Sequence, residues 1–361
     1  MMRGLVKSGL AHGMCWTGAS LVKRTLDGWS GRPFIVGYHR VVEDFARASE
    51  DSIPSILISR AMLERQIEWI ARRFDLASLD EIEARLMTGA GWRRPAAAIT
   101  FDDGYADVYE QAFPLLKARG IPAAVFVVSD LIGTATPPLF DRLHHLLARA
   151  WTRWPGPIRR LAPLVAHHGL DLLRASGGDP APADPQLVLR ILLETLPQSG
   201  LERLAAALAA EVGWDESVVA RHRPLTWEML REMRAAGITI GSHSRTHPLL
   251  TLEGRDRVRE EIAGSRRDLE SRLDAPVRHF AYPNGWFDEG TLEAVEAAGY
   301  RSAYTSCHHR DPGRPLMTVP RVLLWENAGL GVSGSFSPAV MGCQADGTLP
   351  RVAGCRLVHR N

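Results

Sequence analysis

An apolar run that ends in two adjacent acids limits the folds open to this chain. Residues 96–100 are small and apolar, with Arg93-Arg94-Pro95 before them and Gly104 just beyond, the pattern of a strand buried on both faces. Asp102 and Asp103 then stand where the strand gives way to a loop. Ala112, Leu115 and Leu116 carry a helical stripe that stops near Gly120, and residues 122–128 read as a second buried strand. This βαβ unit requires a parallel sheet with helices packed on it. In barrels and open sheets of that kind, active sites are built at the carboxyl ends of the strands. On its own, Asp-Asp-Gly reads more simply as a turn with a helix cap.

A second segment changes that balance. Met229, Leu230 and Met233 mark one face of a helix ending in Ala235-Ala236-Gly237, and residues 238–241 form a short strand. His243 and His247 therefore also follow the carboxyl end of a strand. A lone histidine there reads as a hydrogen-bonded loop residue, and spacing of i and i+4 is weak evidence alone. Together the two segments supply three mixed nitrogen and oxygen ligands for a divalent metal and leave one carboxylate over as a base.

Thr100-Phe101-Asp102-Asp103-Gly104 and Ser242-His243-Ser244-Arg245-Thr246-His247 resemble the first two motifs of the polysaccharide deacetylases, carbohydrate esterase family 4. The resemblance spans roughly residues 33–326 and implies an α/β fold, a distorted (β/α) barrel. It implies a divalent metal on Asp103, His243 and His247, with Asp102 as general base. Zinc is the leading candidate, with cobalt, nickel, manganese and iron as alternatives. Phe280-Ala281-Tyr282-Pro283-Asn284-Gly285-Trp286 is similar to the family's groove motif. Tyr282, Pro283 and Trp286 would then line the groove, and the backbone N–H of Asn284 would help hold the oxyanion. Read by itself, the same stretch is a Pro-Asn-Gly turn. Many members carry an arginine where this chain has Ala281, and Arg278 and Arg321 are the substitutes in view.

The family's late Leu-x-His is not evident. Residues 34–38 instead make an early apolar strand followed by His39, an order similar to the poly-N-acetylglucosamine deacetylase branch, and His39 becomes the candidate general acid. The alternative is a histidine merely hydrogen-bonded at the barrel rim. In the implied reaction Asp102 takes a proton from water and protonated His39 gives one to the departing sugar amine. The substrate would be an N-acetylated glycan or polysaccharide, in exopolysaccharide or cell-envelope synthesis. An O-acetyl esterase and a glycan-binding module on a degenerate barrel remain the competing readings.

With 361 residues, 45% of them hydrophobic, the chain has ample material for one elaborated domain. A net charge of +2 gives no argument for nucleic acid as a partner. Residues 1–32 form an N-terminal segment without a convincing signal peptide, read either as an ordinary helix or as an amphipathic segment on a membrane. The expected location is the cytoplasm, with peripheral membrane association through that segment as the variant. Residues from about 134 to 222 read as a helical insertion, with helices over 139–151 and 187–212. It either overhangs the site or packs away from it. A long charged helix is expected over 253–273, a last strand over 318–324, and a loosely ordered tail over 327–361.

Overall fold

The computed structural model describes residues 33–175, 184–306 and 310–349. Segment 1–32 and the breaker stretch around 177–183 therefore lie outside the described residues. In chain order the strands are β1 (Phe34–Tyr38), β2 (Arg40–Val42), β3 (Leu57–Ser59), β4 (Asp75–Leu76), β5 (Ala96–Phe101), β6 (Ala123–Val127), β7 (Thr239–Ser242), β8 (His279–Ala281), β9 (Ser302–Thr305), β10 (Val319–Pro320) and β11 (Val322–Leu323). Apart from the small β2–β3 pair, they form one nine-stranded sheet in the order β10-β9-β8-β7-β6-β5-β1-β11, with β4 added on β5.

Every strand pairing in that sheet is parallel, and the sheet curls into a nearly closed barrel. Closure comes from the segment expected as the last strand. Val319 and Pro320 pair with Tyr304 and Thr305 of β9, while Val322 and Leu323 pair with Val36 and Gly37 of β1. Arg321 sits between the halves, its N–H donating to Thr305 O. Glycine at position 37 leaves the space that the Leu323 side chain fills, since a Cβ there would lie 2.6 Å from Leu323 Cδ2.

Why the barrel forms is visible in the alternation of side chains. Ile35, Ala98, Ala124, Phe126, Ala281 and Tyr304 make a cluster separate from the main core. Their neighbours Val36, Ile99, Val125 and Phe280 belong to the main core that includes the surrounding helices. Strands buried on both faces carry continuous apolar sequence, as β5 (AAAITF) and β6 (AAVFV) do.

Local chemistry shapes the helices, and three of them depart from expectation. Helix α1 (Leu79–Thr88) opens on a capping box of Ser78 and Glu81. The stripe ending near Gly120 is a π turn, Val108–Ala112, running into a short helix, Phe113–Ala118, with Pro114 in its first turn. The insertion comprises α2 (Leu139–Arg153), α3 (Pro157–Ala166), α4 (Pro185–Thr195) and α5 (Gln198–Val212), so the single helix expected over 187–212 is two. Pro197 has no N–H to continue α4 and stands at the start of α5 instead. The charged helix over 253–273 begins at Arg255 and carries a π turn, Glu260–Gly264, in its middle.

The insertion has a core of its own, built on Leu143, Leu147, Leu161, Leu192, Leu204 and Leu208. The tail departs from expectation. Through residue 349 it is ordered, with a turn at Glu326–Gly329 and a helix at Pro338–Ala345. Ala328 and Met341 are fully buried in the main core, and Gln344 Nε2 donates to Ala328 O. Its Gly and Ser residues form the 331–335 turn that lets this helix fold back. No helix among the described residues is long and apolar enough to cross a membrane.

Candidate metal and catalytic site

Parallel register alone brings several expected residues together. Tyr38 of β1 pairs with Phe101 of β5, and Asp102 N donates to Tyr38 O at 2.8 Å, so the next residues, His39 and Asp102, leave the sheet side by side. Val127 of β6 pairs with Ser242 of β7, and His243 N donates to Val127 O. Both acids and both histidines thus emerge at the same rim.

Asp103 Oδ1 lies 3.6 Å from His243 Nε2 and 3.4 Å from His247 Nε2. It is buried and has no hydrogen-bond partner. Two ligand atoms about 2.1 Å from a tetrahedral cation stand roughly 3.4 Å apart, so these separations suit a zinc-sized ion. His243 Nδ1–H donates to Ala281 O at 2.7 Å, which fixes the tautomer that leaves Nε2 with its lone pair inward. Burial keeps both rings' pKa values below the ordinary histidine range, so each is neutral and able to ligate. Asp103 is pushed the other way: burial first, then the charges of Asp102 and Asp141, raise its carboxyl well above the usual range. A cation would relieve that repulsion, and the donor set fits one.

Asp102 is held differently. Arg321 NH1 donates to Oδ1 and NH2 to Oδ2, each at 2.7 Å, and NH1 also reaches Thr100 Oγ1 at 3.0 Å. Both partners are almost fully buried, with the guanidinium over the Phe126 ring. Burial works to raise the Asp102 carboxyl, but Arg321 and the nearby histidines outweigh it and hold the group at about 2. Of the two arginines in view as substitutes for the one missing at Ala281, Arg321 is the one that reaches Asp102. Arg278 does not, since it lies on the other side of β8 from the rim and pairs with Asp80.

His39 is half-buried, and burial takes its pKa down to about 4 despite the Asp102 charge nearby. Burial thus favours the neutral ring in the metal-free chain. Asn284 is exposed in a left-handed turn after β8, with φ 55°. Asp103, Ser244 and His247 also have positive φ, at 69°, 65° and 62°. Of the five non-glycine residues in that region among the described residues, four belong to this rim, a concentration of backbone strain typical of functional sites.

Tyr282 was expected in the groove and is not there. Its ring is fully buried between Phe280 and Phe287 and its hydroxyl donates to Met317 O, so it braces the strand end from the core side. Pro283 is buried as well, and Trp286 and Asn284 alone of that motif's expected residues retain more than slight exposure.

Four supports were not expected from the sequence. Glu261, fully buried, accepts hydrogen bonds from the N–H groups of Arg245 and Thr246 and from the Thr246 hydroxyl, fixing the loop between the two ligand histidines. Phe140, in the first turn of α2, packs its ring 5.3 Å from that of His247. Next to it, Asp141 accepts from Tyr105 OH at 2.6 Å, and Gln198 at the start of α5 donates to Thr246 O. The insertion thus grips the loops beside the cluster. Glu261 was hidden within a charged helix whose pattern marks such residues as solvated.

The polysaccharide deacetylase family model matches residues 91–161 and 198–303, which hold both acids, both ligand histidines and Asn284. This chain belongs to that family. A chitooligosaccharide deacetylase of Sinorhizobium fredii is 28% identical over 143 residues, covering 34% of this chain and 66% of its own length. YxkH of Bacillus subtilis, assigned by name to the polysaccharide deacetylases, is 22% identical over 255 residues, covering 70% of this chain and 60% of its own. The chain therefore spans less than two thirds of the length of these curated relatives. The solved structure of IcaB from Ammonifex degensii superposes with a TM-score of 0.53 at 20% identity, covering 88% of this chain and 97% of that one, and shares the fold. His39 and Arg321 fall outside the matched residues; the strands that close the barrel deliver them.

The Glu261 contacts make a prediction. Glu261→Gln keeps the volume but loses the anionic acceptor, so metal affinity is expected to fall about 10- to 100-fold with little change in fold. Competition against a chromophoric chelator measures it, and unchanged affinity would show that the loop holds its shape without the charge.

Proposed function

We propose that this chain is a metal-dependent N-deacetylase acting on a glucosamine-type glycan. The observation that carries the reading is the division of labour between adjacent acids: Asp103 faces the histidine pair, while Asp102 is clamped by Arg321 and stays free of that pair. A merely structural metal site has no need of the second carboxylate. The family and the chitooligosaccharide deacetylase relative support the substrate class.

Asp103, His243 and His247 would hold the cation. When bound, a divalent ion supplies Lewis-acid polarisation of the acetyl carbonyl and lowers the pKa of water. Asp102, ionised above a pH of about 2, accepts the proton of the attacking water. Arg321 keeps both carboxylate oxygens oriented, so the proton is taken at a fixed position. The Asn284 peptide, exposed at the rim, is assigned to the developing oxyanion. His39, neutral at rest, must first gain a proton within the cycle before it can protonate the sugar nitrogen. Its neighbour Asp102 has just taken one, which makes the pair a route for a single proton from water to amine. Trp286 offers an aromatic face for the sugar ring.

Acetate release from N-acetylglucosamine oligomers, beside O-acetylated glycans of similar size, tests the proposal. Release from the N-acetyl substrates that requires added metal supports it. Release from O-acetyl substrates alone would replace it with an esterase, and glycan affinity without turnover under any metal would replace it with a binding module.

A further inference from the structure

His279, the first residue of β8, lies at the opposite end of that strand from the catalytic rim and takes no part in the chemistry above. Its ring is buried, 1% exposed, and Nδ1 meets Ser302 Oγ at 2.8 Å, while Ser302 Oγ in turn meets Tyr304 OH at 3.1 Å. The Tyr304 hydroxyl also lies 3.3 Å from Nδ1, and in the tautomer that donates Nδ1–H to Ser302 the lone pair is on Nε2. That nitrogen has no hydrogen-bond partner, yet it stands 3.4 Å from Asp80 Oδ1, another acceptor. Glu83, also 1% exposed, turns Oε2 toward the same ring, 3.9 Å from His279 Nδ1, again with no hydrogen-bond partner. Asp80 and Glu83 are three apart in the first turns of α1, and helical spacing puts them on one face.

In that tautomer two buried acceptors without hydrogen-bond partners, His279 Nε2 and Glu83 Oε2, share a cluster with the Asp80 carboxylate, an arrangement that a cation would stabilise. The geometry points to a second divalent-cation site formed by Asp80, Glu83 and His279, whose ligand atoms lie within 4.8 Å of one another. The rim at Asp103 shows the same pattern: an orphaned buried carboxylate oxygen, a histidine pinned through its other nitrogen, and a separation of 3.4 Å. One nitrogen and two oxygens suit a borderline ion of the zinc or cobalt kind. Asp80 is 45% exposed on its side chain and gives the ion a path and a position for water. The bound ion would tie α1 to the starts of β8 and β9, a brace for the barrel floor.

Arg301 pairs with Glu83 through the other oxygen, Oε1, and Arg278 reaches Asp80 Oδ1 at 3.3 Å. Both arginine side chains are about half exposed and can swing into solvent, but their charge opposes the ion. The floor site is therefore the weaker of the two.

Metal stoichiometry of the full chain tests this without reference to the deacetylase reading. With zinc or cobalt in excess, wild type is expected to bind two equivalents, and the His243→Ala, His247→Ala double variant one. Adding Asp80→Asn, a half-exposed position that spares the fold, or His279→Gln, should remove that remaining equivalent and abolish the metal-induced rise in Tm of the double variant. Cobalt absorption bands that persist in the double variant and vanish with Asp80→Asn would place the ion directly. A folded double variant that takes up no metal at millimolar concentration overturns the proposal and leaves Asp80 and Glu83 paired with Arg278 and Arg301 alone. So does an equivalent that survives both floor substitutions.

Discussion

Arg321→Ala is expected to lower turnover about 10²- to 10³-fold while leaving the bound metal in place, because it frees the carboxylate assigned as base without touching a ligand. The same change should cost stability. Arg321 and Asp102 are 1% and 3% exposed, and removing one member of a buried, doubly hydrogen-bonded pair leaves an uncompensated charge, a loss of about 3–5 kcal/mol. Arg321→Met combined with Asp102→Asn should recover much of that stability and none of the activity, since neither residue then leaves an ion behind.

The pH dependence gives an independent sign. In the wild type the Asp102 pKa is lowered from 3.8 to about 2, so its contribution is complete above roughly pH 4 and is lost as pH falls toward 2. Without Arg321, burial would instead raise that pKa, and the contribution would fade as pH rises. Denaturant titrations of the two metal-free proteins between pH 3 and 7 should diverge with increasing pH. Parallel curves would mean that Arg321 does not set the ionisation of Asp102.

His243→Ala is expected to remove metal from the catalytic rim and take acetate release to background, whereas Asp102→Asn should keep the metal and still lose about 10²- to 10⁴-fold in turnover. The contrast separates a ligand from a base. Loss of metal in both variants would merge the two roles and return Asp102 to the ligand set. Uptake at the rim should also tighten with rising pH, because burial and neighbouring charge raise the Asp103 carboxyl and metal binding must displace its proton. A pH-independent affinity would show that Asp103 is already ionised in the metal-free protein.

Much of this was legible in the chain because it is written in local pattern. The apolar run at 96–100, the acids that follow it and the paired histidines after 238–241 specify strand ends, and parallel register carries them to one rim. What was illegible depends on distance in sequence. Arg321 lies 219 residues from the carboxylate that it clamps, and nothing near it distinguishes it from Arg278. Phe140 reads as an ordinary core position of an amphipathic helix until the insertion is folded over His247. Tyr282 was misplaced for a related reason: its motif gives the strand end but not which way the ring turns there. The tail looked weakly patterned because Ala328 and Met341 bury themselves in a core made by other segments.

The split strand at the barrel seam has a consequence for synthesis on the ribosome. His39 precedes both acids and both histidines in the chain, and Arg321 follows all of them. Until Arg321 has been added, the seam between β9 and β1 stays open and the Asp102 carboxylate lacks its counter-charge. A nascent chain can thus assemble a metal-binding rim without a competent base. On the proposed reading, hydrolytic activity is withheld until that seam closes.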